Sequence, residues 1–135
     1  KSMKTTLSLT PQQTVERFIS AFNAIDGKLL NQIWCSPCIF MIGSETKMYE
    51  KYSDAIDFKD ILDSGWSYTK INWIESQYES DELALIRFNF SRFCKDHKEL
   101  NQHTVFHLLR LFKNEWRISS LIMNKISGMS GVASK

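Results

Sequence analysis

The change of hydrophobic period at Trp66 does most to limit what this chain can fold into. Before it, apolar residues recur at three- and four-residue steps; after it, they alternate. The first spacing places side chains on one stripe of a helix, the second on one face of a strand. The alternating part reads as long antiparallel strands at about 66–79, 82–94, 100–112 and 116–125. Their turns carry Ser80-Asp81, Lys95-Asp96-His97-Lys98 and Lys113-Asn114-Glu115. Helices first and a meander afterwards predict an α+β fold, with N-terminal helices packed on a strongly curved mixed or antiparallel β-sheet.

The N-terminal half supplies those helices. Thr10-Pro11-Gln12-Gln13 is a helix start: Thr10 caps, Pro11 suits the first helical position, and Gln13 completes a capping box. Val15, Phe18, Ile19, Phe22 and Ile25 form the stripe, and Asp26-Gly27 ends it, with Gly27 in the left-handed cap position. A short helix follows with Leu29, Leu30, Ile33 and Trp34 facing inward, until Pro37 breaks it. Cys38–Ile42 reads as a strand, 47–52 as a second and shorter one, and 53–63 as a single helix capped by Ser53.

The chain has 135 residues, enough for one domain with its own core. The expected boundaries are a flexible start at 1–9, a folded domain at 10–126 and a loose Gly/Ser tail at 127–135. A formal net charge of +2 gives no footprint for nucleic acid, and no apolar run is long enough to span a membrane. The segment KSMKTTLSLTPQQ has no apolar stretch of the secretory kind. The 3 cysteines are an odd set for a disulfide framework, so a reducing, cytoplasmic setting is expected.

Residues 34–38, Trp-Cys-Ser-Pro-Cys, are close to the thioredoxin active-site string. That chemistry needs a strand before the motif, a helix after it and a second proline facing the disulfide. Here a helix precedes, a strand follows, and the other proline is Pro11, upstream. The motif therefore reads as packing: Trp34 anchors, Pro37 turns the chain and Cys38 begins a strand. Cys35-x2-Cys38 with Cys94-x2-His97 has the ligand types of a zinc site, but the pairs are far apart, and no metal or cofactor is expected. Asp54, Asp57, Asp60 and Asp63 recur every three residues, which spreads them around a helix and points to a solvated face.

The segments TVERFISAFNAIDGKLLNQIW, CIFMIGSE and HTVFHLLRLFKNEWRISSL, taken in this order, resemble the NTF2-like (SnoaL-like, cystatin-like) cone family across 10–124. The resemblance implies a cone-shaped cavity and a homodimer joined through the sheet. Within the family, the pattern is most similar to ketosteroid isomerase. Its reactive positions are replaced: Phe18 stands where that enzyme has a Tyr donor, and Phe40-Met41-Ile42 where it has a base. A third position, an acid donor, falls near Phe106 or His107. Phe cannot stabilise an oxyanion, so that isomerase mechanism is not expected.

Alternation puts His103, Val105, His107, Leu109 and Leu111 on one strand face, and Thr104, Phe106, Leu108, Arg110 and Phe112 on the other. It likewise separates Ala84, Ile86, Phe88 and Phe90 from Leu83, Leu85, Arg87, Asn89 and Ser91. Both faces are partly apolar, so which one turns inward stays open. With the polar face inward, Arg87, Asn89, His103 and His107 become pocket groups, and His107, titrating near neutrality, is the candidate acid/base. Trp34, Tyr49, Tyr52 and Trp66 are candidate walls. The expected function is binding of a small apolar or amphipathic molecule in the cone, without nucleic acid or membrane as partner. Its alternatives are an isomerase or hydrolase using His107, and a protein-interaction module acting through the sheet face.

Overall fold

The computed structural model describes residues 9–125 and 130–132. Helices α1 (Pro11–Asn23) and α2 (Gly27–Ile33) lead into strands β1 (Trp34–Ile42) and β2 (Glu45–Tyr49). Short helices α3 (Tyr52–Ala55) and α4 (Phe58–Asp63) follow, then β3 (Trp66–Glu79), β4 (Leu83–Cys94), β5 (Glu99–Phe112) and β6 (Glu115–Met123). The strands form one 6-stranded sheet in the order β2-β1-β6-β5-β4-β3. The β1–β6 pair is parallel and the remaining neighbours are antiparallel, so the sheet is mixed. Among the described residues no helix is long and apolar enough to cross a membrane.

Register shifts along β3–β4, at Trp66/Tyr68, Ile71/Trp73 and Ser76/Tyr78, bend the long strands. The bent sheet wraps α1, which packs against β3, β4 and β6. The expected capping box is present: Gln13 N donates to Thr10 Oγ1, and Thr10 N to Gln13 Oε1, both at 3.0 Å. At its other end, Asn23 ties α1 to the sheet. Its Nδ2 donates to Thr69 O at 2.8 Å, and Thr69 N donates to its Oδ1 at 2.7 Å.

Several local expectations are corrected. The left-handed residue after α1 is Ile25 (φ 52), not Gly27, because Asp26 is used to cap α2 through Leu29 N at 3.1 Å. Trp34 opens β1 rather than ending a helix, and Pro37 lies inside that strand. The proline is tolerated because the β1–β6 register is interrupted between Trp34 and Ile39, where no ladder donor is needed. The single helix expected at 53–63 is divided. Ile56 turns extended to pair with Val132, and Asp57 then caps α4 through Asp60 N at 3.0 Å.

Of the ends expected to be loose, 1–8, 127–129 and 133–135 lie outside the described residues, while 130–132 are docked. Asp57 N donates to Gly131 O at 2.7 Å, Gly131 N to Asp60 Oδ2 at 2.8 Å, and Arg92 Nη1 to Ser130 O at 2.9 Å. The docking depends on Gly131, whose φ is +100° and where an added Cβ would lie 2.2 Å from Ile61 Cγ1. Gly131→Ala should therefore detach this strap and destabilise the protein by on the order of 1–3 kcal/mol in urea unfolding. Gly27→Ala, where an added Cβ meets nothing within 4 Å, serves as the neutral comparison.

Candidate functional site

Between α1, α3 and the concave sheet face lies a cavity of about 50 Å³. Helix α1 contributes Phe18 and Phe22, the inward stripe that its spacing dictates. Strand β1 contributes Trp34 and Phe40, α3 contributes Tyr52, and β4 contributes Phe88, Phe90 and Arg92. His107 enters from β5, Thr69 from β3, and Val132 from the docked strap. Among the described residues no carboxylate lines this space.

The aromatic groups interlock. Trp34 stacks on Tyr52 at 4.6 Å, and Phe18 meets both rings edge-on at 5.6 Å. His107 sits inside this cage, 4.9 Å from Phe88, 5.2 Å from Trp34 and 5.3 Å from Phe18. Its Nδ1 is buried without a partner, and burial pushes its pKa down to about 3. The imidazole is thus neutral throughout the physiological range and makes a poor proton acceptor.

The candidate residues divide by strand register. Phe90 faces His103, Phe88 faces Val105 and Ile86 faces His107 across β4–β5, so the histidines share the apolar face of β4. Arg87 and Asn89, of opposite parity, are placed on the outer face, correcting the idea that all four line one pocket. Arg87 pairs with Glu75 at 3.1 Å and lies 4.9 Å from the Trp73 ring centroid. Asn89 accepts from Asn72 Nδ2 at 2.7 Å and donates to Thr104 Oγ1 at 3.0 Å.

Trp34, Tyr52 and His107 line the cavity, whereas Tyr49, Trp66 and His103 stand behind its walls. Tyr49 packs on Phe40 at 5.3 Å, and Trp66 on Phe22 at 5.5 Å while its Nε1 donates to Thr69 Oγ1 at 2.8 Å. His103 is buried with neither ring nitrogen partnered, and its pKa is lowered by burial and then by the Arg92 charge.

Sequence reasoning missed Arg92 as a cavity residue. The signal was available, since Arg92 continues the parity of Ala84, Ile86, Phe88 and Phe90.

The cysteines do not build a reactive centre. Burial raises the Cys35 thiol and carries Cys38 to about 11, so neither offers a thiolate near neutrality. Among the described residues no group of three or more His, Cys, Asp or Glu could hold a metal ion. His97 Nδ1 instead lies 2.9 Å from the Tyr68 hydroxyl.

Comparison with known proteins is consistent with this architecture. The family described as NTF2-like protein (DUF6841) matches residues 11–125. No curated protein matches the chain. Solved structures similar to it include an NTF2-like protein with a cystatin-like fold from Novosphingobium aromaticivorans, 12% identical with a TM-score of 0.66, covering 87% of this chain and 80% of that one. An NTF2-like protein of unknown function from Shewanella oneidensis is 12% identical with a TM-score of 0.60, covering 84% and 94%. A nuclear transport factor 2 (NTF2-like) superfamily protein from Salmonella enterica is 12% identical with a TM-score of 0.58, covering 87% and 91%. At these identities the likeness speaks for the fold.

The buried histidine makes stability depend on pH. The unfolded chain takes up a proton at His107 near the ordinary value of 6.5, whereas the folded state resists it down to about 3. The unfolded state therefore binds more protons inside that window, and stability falls as pH drops through it, by at most about 1.4 kcal/mol per unit. His103, also depressed, acts in the same direction. Unfolding measured between pH 7 and 4 should show this loss, and His107→Leu should flatten it relative to wild type.

Proposed function

From the premise that this chain belongs to the NTF2-like family DUF6841, matched over residues 11–125, we propose that it is a non-catalytic domain binding a small apolar or amphipathic molecule in its cone. The observation that carries this reading is the aromatic cavity, to which, among the described residues, Trp34, Tyr52, Thr69, Arg92 and His107 bring side-chain N–H or O–H groups. A few polar groups in an apolar hollow can orient a ligand without transforming it. The alternative, an isomerase or hydrolase working through His107, is disfavoured by a pKa of about 3 and by the lack of a lining carboxylate among the described residues.

The free volume, about 50 Å³, limits the ligand. A few heavy atoms fit as the walls stand; anything larger displaces side chains or the strap at 130–132. Binding that involves only the folded state stabilises it, by about 2.7 kcal/mol when the ligand is at 100 times its Kd. Thermal unfolding with small aromatic and aliphatic fragments should thus reveal some that raise Tm, and native mass spectrometry should find a retained small mass. A fragment panel with no stabilising member, together with a ligand-free native mass, would sink this reading.

The outer sheet face supports a second feature, a homodimer. Trp73, Leu83, Tyr78 and Phe112 are exposed there or at its margin, and Phe106 and Leu108 are half-buried. Such a surface is more apolar than a lone sheet face in water usually is. Light scattering at tens of micromolar should report a dimer for wild type and a monomer for Leu108→Glu. A monomeric wild type at that concentration would remove the dimer from the proposal.

A further inference from the structure

Among the described residues Arg92 is the one charged side chain on the cavity wall. It is 5% exposed, and its guanidinium carbon lies 5.8 Å from the Phe22 ring centroid and 5.9 Å from that of Phe90. Its Nη1 donates to Ser130 O at 2.9 Å and to Ser130 Oγ at 3.4 Å, while Nε is buried without an acceptor. No ion pair among the described residues includes it. Asp60 is close enough to be felt electrostatically, but its Oδ2 accepts from Gly131 N at 2.8 Å.

A buried guanidinium costs several kcal/mol unless a counter-charge accompanies it, and a neutral carbonyl offsets only part of that. An apolar side chain of similar length would be the more stable occupant. Burial lowers the Arg92 pKa, as expected of a cation removed from water. Its Nε belongs to the side-on edge of the fork that a carboxylate grips through two parallel hydrogen bonds.

We propose that Arg92 is the carboxylate anchor of the cone, and that the ligand is a small organic acid. Its charged end pairs with the guanidinium edge, and its short apolar part lies among Phe18, Phe22, Trp34 and Phe88. This rests on the ligand-binding reading given above and adds the chemical class. A water needs roughly 10–15 Å³ of such space, so acetate or propionate fits the cavity as its walls stand. An aromatic acid requires the strap to lift, because Val132 lines the cavity and Ser130 O occupies Nη1.

The competing role for Arg92 is a fastener that only holds Ser130. Calorimetry and ligand-observed NMR with acetate, propionate and benzoate, each against its amide, separate the two on wild type, Arg92→Met, Arg92→Lys and a chain ending at residue 129. Wild type should bind at least one acid ten or more times tighter than its amide. That preference should vanish in Arg92→Met and persist in part in Arg92→Lys. Equal binding of acids and amides overturns the inference while leaving the cone a binder. No binding by wild type or by the shortened chain overturns the inference, and the fragment panel with the native mass then decides whether the cone binds anything. A preference unchanged in Arg92→Met assigns the acid elsewhere and leaves Arg92 a fastener. Should Arg92→Met fail to fold, the wild-type ratio and the Arg92→Lys response still decide.

Discussion

The edge-to-face packing around Phe18 joins the parts of this molecule. Its ring touches Phe22 in the same helix, Trp34 at the start of β1, Tyr52 at the start of α3 and His107 in the middle of β5. Elements far apart in sequence thus meet on one side chain. Aromatic pairs of this kind contribute about 0.5–1.5 kcal/mol beyond their buried area. They also leave little room for polar partners. Trp34 Nε1 and His107 Nδ1 are buried without hydrogen bonds, each costing about 1–3 kcal/mol. The cluster is stable enough to bear both, and its rings form much of the cavity wall.

Local features were well marked in the sequence. The capping box at Thr10 and the long strands after Trp66 follow from short-range rules, and the structure has both. Contacts between distant segments were less visible. Nothing near Ile56 announces that it pairs with Val132, and that pairing is what splits the expected helix. Gly27 looked like the left-handed residue because glycine adopts that conformation freely; Asp26 needed its neighbour helical, so Ile25 took the strain instead.

The candidate site shows the same limit at finer scale. Parity within one strand can be read from sequence, but the match between two strands cannot. Arg87 and Asn89 were grouped with the histidines because all four are polar. The β4–β5 register places Phe90 opposite His103, which separates the pairs onto opposite faces. A shift of one residue in that register would have reversed every inward and outward assignment. Arg92 shows the complementary limit: it continues the apolar parity of β4, but the strap that covers it comes from a segment far along the chain.

The clasp between Asn23 and Thr69 has a bearing beyond anchoring α1. Strand β3 is one of the two edge strands of the sheet, and an edge strand normally leaves a row of backbone donors and acceptors unsatisfied. At Thr69 both groups are already taken, by an amide that imitates a neighbouring peptide. A foreign strand sliding along that margin would find its ladder interrupted there by the protein's own side chain. One asparagine thereby acts as a stopper against runaway sheet growth, at the place where a 14-residue strand would otherwise invite it.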